Sequence, residues 1–150
     1  MKIILSLLLT ILLVSCSSVT PAPMTVILGT EFTLAANQTA TITDTNLTIR
    51  LIGVTDDQRC PSEIECAASG PVSLSLSAQI GDSEPTDLNL QVFTNNNGRV
   101  PDMQFEGIED RAIFEGYLIR VLSVLPYLAQ TFDEIKASEY RVIFIVSKAE

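Results

Sequence analysis

The sequence predicts an all-β domain built as an antiparallel sandwich, and three observations support this fold class. Residues 72–80 alternate strictly between apolar side chains and Ser or Gln, which is the period of a strand with one buried and one wet face. The stretches 117–125 and 140–147 are apolar on both faces, as in strands at the centre of a sheet. Gly, Asn, Asp and Thr separate short apolar runs throughout the body, which is typical of all-β domains.

The first half of the body reads as a series of short strands. Residues 25–28 and 31–35 flank Gly29, and a third β-branched run covers residues 39–43. The next run, residues 47–54, is apolar on one face, while its other face begins polar and ends apolar. We therefore predict a strand whose second half is covered on both sides.

The second half of the body continues the pattern. A loop at residues 81–85 leads into a return strand at 87–94, and a weaker strand is predicted at 111–115. One short helical turn is predicted near residues 130–138, although a loop fits that stretch as well. Roughly eight strands in a domain of immunoglobulin size favour two packed sheets over a closed barrel, the alternative that the pattern leaves open.

The first residues resemble a bacterial lipoprotein signal. Lys2 precedes an apolar run at residues 3–14, which is too short for a spanning helix of about 20 residues. The run ends in Leu13-Val14-Ser15-Cys16, which resembles the lipobox of bacterial lipoproteins. The predicted organisation is a signal peptide at 1–15, a flexible polar tether at 16–23 and one sandwich domain at 24–150.

The lipobox resemblance implies cleavage before Cys16 and diacylglycerol on its sulfur. Two or three acyl chains would make an essentially permanent anchor, because each buried CH₂ contributes about 0.8 kcal/mol. The expected location is extracytoplasmic and lipid-anchored to the bacterial membrane. Ser17 rather than Asp after the cysteine favours the outer membrane in a Gram-negative source. The alternative is an ordinary secreted protein with a free Cys16 thiol.

The charge and composition exclude some classes of function. The formal net charge of −9 repels phosphate backbones, so nucleic-acid binding is not expected. The chain contains no His, which removes the usual general base and the commonest transition-metal ligand. We therefore predict a protein that is not an enzyme, with no catalytic residues, no cofactor and no metal site. A Ca²⁺ site in the acidic segment 102–110 stays open as an alternative.

Two further cysteines, Cys60 and Cys66, are predicted to form a disulfide. Exported proteins fold in oxidising compartments, where paired cysteines bridge. The rival interpretation is a Zn²⁺ site, but two thiolates without His or a second cysteine pair leave such a site incomplete. Asp57 is expected either to accept backbone N–H bonds in the turn or to pair with Arg59 or Arg50; the alternative is a set of solvated loop charges.

The segment Asp57-Gln58-Arg59-Cys60-Pro61, followed by Ile64, Cys66 and Gly70, resembles a motif of uncharacterised bacterial envelope domains. Their pattern reads Asp-Ser-Arg-Cys-Pro-x-x-(Val/Ile)-x-Cys-x-Trp-x-Gly. This chain departs from it at Gln58, in place of Ser, and at Ala68, in place of Trp. The resemblance implies fold and location and carries no activity. Its motif residues here are Asp57, Arg59, Pro61 and Gly70.

These observations predict a non-catalytic, lipid-anchored binding or inhibitory module. Its disulfide loop would present a contact surface to a protein, glycan or small ligand. The alternative is a structural or accessory subunit of a cell-envelope complex. The expected partners are the membrane, through lipid on Cys16, and an envelope protein or glycan.

Overall fold

The chain folds into two packed β-sheets, as a computed structural model shows for residues 20–103, 105–127 and 135–150. This confirms the predicted all-β sandwich. The strands are β1 Met24–Val26, β2 Glu31–Ala35, β3 Thr39–Ile42, β4 Leu47–Asp57, β5 Val72–Ile80, β6 Thr86–Val92, β7 Arg111–Phe114, β8 Tyr117–Leu125 and β9 Arg141–Lys148. The predicted signal peptide, Cys16 and Ser17 lie outside the described residues.

The five-stranded sheet has the order β1-β3-β4-β5-β6, and the four-stranded sheet has the order β2-β9-β8-β7. Neighbouring strands are antiparallel with one exception, the parallel pair β1–β3. This pair arises because the intervening strand β2 crosses to the other sheet, where it pairs antiparallel with β9. The apolar strands β8 and β9 hold the two central positions of the four-stranded sheet, as their two-faced apolar sequences predict.

The core lies between the two inner faces and follows the period-two pattern. Alternate residues of β5 and β9 point inward and are buried, while the residues between them face outward. Fully buried apolar side chains include Leu34, Ile49, Leu51, Leu74, Leu76, Ile119, Val121, Val142 and Phe144.

Strand β4 departs from the prediction that its second half is covered on both sides. Ile52 is 39 % exposed, and the strand continues past its predicted end at Val54 into Thr55 and Asp56, which are also exposed. The register against β5 shifts between Leu51 and Gly53 and again between Val54 and Asp56. These bulges change which residues face the core, so simple alternation fails there.

The predicted helical turn near 130–138 is only partly described. A 3₁₀ turn covers Ala137–Glu139, and residues 128–134 lie outside the described part of the chain. In residues 20–103, 105–127 and 135–150, no helix is long and apolar enough to cross a membrane.

Several chain segments meet at one end of the sandwich, here called the loop end. Strands β4 and β8 both finish there, β5 and β9 both begin there, and the turn from β2 to β3 crosses between the sheets. The segment before β1 also arrives at this end, where the Gln38 side chain donates a 2.9 Å hydrogen bond to the Ala22 carbonyl. Residues 58–71, here called the cysteine loop, join β4 to β5 at the same end.

Candidate functional site

The cysteine loop contains the predicted disulfide. Cys60 and Cys66 are bonded, with their Cα atoms 6.0 Å apart. The prediction of a bridge is therefore confirmed, and the zinc alternative for these two thiols is wrong. At the base of the loop the hydrogen-bonded pairing of β4 with β5 continues beyond both strands. Gln58 N donates to the Pro71 carbonyl, and Gly70 N donates to the Gln58 carbonyl.

We expect removal of this disulfide to have a moderate effect on stability. The double variant Cys60→Ser/Cys66→Ser should lose about 2 kcal/mol of unfolding free energy, because so short a loop restricts the unfolded chain only modestly. Urea unfolding of the oxidised wild type, the reduced wild type and the variant measures this. Identical midpoints with and without reductant would contradict the prediction.

Arg59 is the buried centre of the site. Its side chain is 0 % exposed and forms a two-pronged ion pair with Asp57: Nε lies 2.8 Å from Oδ1 and Nη2 lies 2.6 Å from Oδ2. Its remaining donors reach the four-stranded sheet, where Nη1 donates to the Val124 carbonyl and Nη2 to the Pro126 carbonyl, both at 2.9 Å. One guanidinium thus joins the end of β4 to the end of β8.

Two tyrosines complete the bracing. The guanidinium carbon of Arg59 lies 5.0 Å from the ring centroid of Tyr127, within cation–π range. The Tyr127 hydroxyl donates a 2.7 Å hydrogen bond to the Cys60 carbonyl, next to the disulfide. The Tyr140 hydroxyl donates a 2.9 Å hydrogen bond to Asp57 Oδ2. The cysteine loop is therefore held by the side chain of Asp57 at the end of β4 and by that of Tyr127 just after β8.

The structure selects among the interpretations left open for Asp57. Its carboxylate pairs with Arg59 and also accepts the Arg59 backbone N–H at 3.2 Å. Arg50, the other candidate partner, donates to the side chain of Asn37 instead. These motif residues are therefore not solvated loop charges.

The ionisation of Asp57 and Tyr140 follows from this geometry. Burial by itself raises the pKa of Asp57, but the hydrogen bonds and charge of Arg59 and the Tyr140 hydroxyl outweigh it and hold that pKa below its usual value. Burial, together with the hydrogen bond to the Asp57 carboxylate, raises the pKa of Tyr140. Both shifts favour the pair in which Asp57 is charged and Tyr140 is protonated.

The Asp57 shift predicts a specific loss of stability in acid. Because the pKa is lower in the folded chain, the stabilisation is fully present above the unfolded value of about 4 and disappears as pH falls through the folded value. Unfolding free energy should therefore fall more steeply below about pH 4 in the wild type than in Asp57→Asn. Urea unfolding across this range measures the difference.

A control for the acid prediction is Asp102→Asn, which also removes one carboxylate, but from a side chain that is 98 % exposed. Its unfolding free energy should follow the steep wild-type dependence on pH. Equal slopes for the wild type and Asp57→Asn would contradict the assigned role of Asp57.

The other two motif residues have steric roles. A Cβ atom at position 70 would lie 2.5 Å from the Gln58 Cβ and 2.9 Å from the Gln58 carbonyl oxygen, so the close chain crossing requires Gly70. Pro61 is buried directly after Cys60, and its carbonyl accepts the Ile64 N–H at 3.1 Å. Both residues fix the path of the loop backbone.

The outer surface of the cysteine loop is exposed and acidic. Exposed side chains include Glu63, Glu65, Ala67, Ala68 and Ser69. Ala67 and Ala68 place only methyl groups on this surface. Asp57 is neutralised by Arg59, and Glu65 adds negative charge to the exterior.

The acidic segment 102–110 uses two of its carboxylates in ion pairs. Asp102 Oδ1 lies 2.8 Å from Arg120 Nη2, and Asp110 Oδ1 lies 2.7 Å from Arg111 Nε. Asp110 and its hydrogen bonds with Arg111 raise the pKa of that guanidinium. Among residues 20–103, 105–127 and 135–150, no three His, Cys, Asp or Glu side chains come together as metal ligands.

Sequence reasoning missed the parts of the site that are distant in the chain. Tyr127 and the carbonyls of Val124 and Pro126 lie more than 60 positions beyond Arg59. For Tyr140 a signal existed, since a tyrosine at the start of a buried strand needs a partner for its hydroxyl. Comparison of the chain with protein-family models, curated proteins and solved structures finds no match.

Proposed function

We propose that this protein is a lipid-anchored, extracytoplasmic and non-catalytic binding module whose cysteine loop is its contact surface. The observation that carries the proposal is the buried Arg59, which ties the disulfide loop to the end of β4 through Asp57 and to the end of β8 through the carbonyls of Val124 and Pro126. A loop fixed before binding loses little conformational freedom when a partner docks. The bracing therefore suits recognition.

The chemistry of the loop surface favours one kind of partner. The acidic side chain of Glu65 is exposed, and the small side chains of Ala67 and Ala68 project little beside it. Acidic side chains on a rigid loop favour a partner with basic groups and speed its encounter by electrostatic attraction. A protein surface carrying Lys or Arg fits this description.

The disulfide supports the extracytoplasmic location, because stable bridges belong to oxidising compartments. Lipid on Cys16 is proposed from the lipobox sequence at residues 13–16. A non-catalytic role is consistent with Asp57, whose lowered pKa suits a permanent ion-pair partner. A general acid or base working near neutral pH needs a shift toward neutrality instead.

The path of the chain favours a second candidate, an accessory subunit of a cell-envelope complex. The chain reaches β1 at the loop end, as the Gln38 bond to Ala22 shows. The tether at residues 16–23 spans at most about 27 Å when fully extended. With lipid on Cys16, the cysteine loop would stay near the bilayer, within reach of the exposed parts of an integral membrane protein.

Site-specific photo-crosslinking in living cells tests both candidates. A photoreactive amino acid is placed at Glu63 or Ala68 in the loop, with Asp82 at the opposite end of the sandwich as the matched exposed control. We expect a discrete crosslinked product from the loop positions and none from position 82. Equal products from all three positions, or none from the loop, would contradict the proposed contact surface.

The identity of the crosslinked partner separates the two candidates. A stoichiometric integral membrane protein supports the accessory-subunit role, whereas a soluble protein supports the binding or inhibitory module. Palmitate labelling of the wild type and of Cys16→Ala tests the anchor separately, and we expect label only in the wild type.

A further inference from the structure

An open cavity of about 320 Å³ lies on the outer face of the five-stranded sheet, close to the start of the cysteine loop. Its polar side chains come from three strands and one loop. They are Thr55 of β4, Ser73 of β5, Asn89 and Gln91 of β6, and Glu109. The volume falls within the usual range of small-ligand sites, about 300–1,000 Å³.

The walls of the cavity are held by hydrogen bonds. Ser73 and Gln91 are opposite each other in the β5–β6 ladder, and Gln91 Nε2 donates to Ser73 Oγ at 3.1 Å. The backbone N–H of Gln91 donates to the Glu109 carbonyl at 3.0 Å, which fixes the loop against the edge of the sheet. Gly107 lines the cavity at a positive φ of 79°, and nothing stands within 4 Å of where its Cβ would be. The floor and the loop wall are therefore preformed.

An aromatic pair belongs to the two chain segments that line the cavity. Phe93 is two residues beyond Gln91, and Phe105 is two residues before Gly107, so each segment carries an aromatic residue two positions from a lining residue. The two rings meet edge to face with centroids 4.9 Å apart. Phe105 is 40 % exposed, which leaves an apolar surface available to a ligand.

The chemistry of this cavity selects one ligand class. Hydroxyl and amide groups supply donors and acceptors together, and Glu109 contributes the only charged side chain among the described residues that line it. Because no Lys or Arg is among the described lining residues, this carboxylate disfavours phosphates and acidic sugars. Clustered hydroxyls and amides, with an exposed aromatic residue two positions along the chain, match a sugar ring, which has an apolar C–H face and a polar rim.

We propose that this cavity binds one unit of an uncharged glycan, with Gln91, Asn89 and Glu109 bonding the sugar hydroxyls and Phe105 packing on its C–H face. The site is separate from the exposed loop surface around Glu63 and Ala68. Its existence does not depend on whether that surface binds a protein, and failure of one proposal leaves the other standing.

Calorimetric titration of the full-length chain tests the glycan site. The chain is held in a zwitterionic detergent that has no sugar headgroup. The probes are uncharged tetrasaccharides of glucose, galactose, mannose or N-acetylglucosamine, with a galacturonic acid tetramer as the charged comparison. We expect at least one uncharged probe to bind with a Kd of about 1 mM or tighter, and the charged probe to bind at least about tenfold more weakly.

Substitutions of cavity residues test whether the uncharged probe binds in this cavity. Gln91→Ala and Phe105→Ala should each weaken the uncharged probe about tenfold or more. Ser77→Ala, on the outward face of β5 away from the cavity, should bind like the wild type. Unfolding midpoints show that each variant is folded. Three results would overturn the proposal: no uncharged probe binding at about 10 mM, equal binding of the charged probe, or unchanged binding by both cavity variants.

Discussion

Replacing Arg59 with methionine is expected to lower the unfolding free energy by about 3–5 kcal/mol. Methionine keeps an unbranched apolar stem but removes the guanidinium. The variant would leave the Asp57 carboxylate, whose side chain is 9 % exposed, without its ion-pair partner. It would also leave the carbonyls of Val124 and Pro126 without these donors. Urea unfolding of the oxidised proteins measures the loss.

Arg50→Met is the matched control for this experiment. Arg50 is an exposed arginine of the same strand region, and its guanidinium bonds only the side chain of Asn37 in the described part of the chain. Its replacement should change the unfolding free energy by less than about 0.5 kcal/mol. Equal effects at positions 50 and 59 would show that Arg59 does not brace the domain.

Replacing Phe144 with alanine is expected to cost about 3–5 kcal/mol of unfolding free energy. Phe144 is 0 % exposed on the central strand β9, and its ring lies 5.9 Å from that of Phe32 on the neighbouring strand β2. The substitution would open a cavity between the sheets that the surrounding side chains fill only partly. Urea unfolding again provides the measurement.

Ile113 offers a control for the core substitution. It is a large apolar residue on the edge strand β7, but 70 % of it is exposed. Ile113→Ala should change the unfolding free energy by no more than about 0.5 kcal/mol. A loss at Phe144 no larger than the loss at Ile113 would contradict the position of the core.

Sequence pattern predicted the strands whose burial is regular. Strand β5 is half-buried along its whole length, so alternation alone gives both its ends at Val72 and Ile80. The bounds of β2 and β8 also agree with the prediction. Strand β9 begins and ends one residue later than predicted, a difference typical of element ends.

The sequence pattern failed where geometry depends on non-local pairing. The bulges in β4 shift its register against β5 and expose Ile52; Gly53 lies at the first of them, but the glycine alone does not give the new register. The parallel pairing of β1 with β3 depends on β2 joining the opposite sheet, which local alternation does not specify. The choice between two sheets and a closed barrel likewise depends on which strands pair, and local alternation does not specify that pairing.

In the candidate site, too, contacts between residues close in sequence could be predicted and contacts between distant residues could not. The pairing of Asp57 with Arg59 was among the predicted alternatives because the two residues are close in sequence. The burial of Arg59 could not be predicted, since its other partners lie at the end of β8. The cavity on the five-stranded sheet was also missed, because the sequence predicts only a wet face for β5 and does not place the loop containing Glu109 beside it.

The central claim is that the cysteine loop is a rigid platform, and backbone relaxation of its amides tests it most directly. Nitrogen-15 relaxation of the oxidised full-length chain in detergent gives an order parameter for each amide of residues 60–69. The bracing by Arg59 and Tyr127 predicts values of about 0.85, equal to those of β5 and β9. Values below about 0.6 across the loop would contradict the claim.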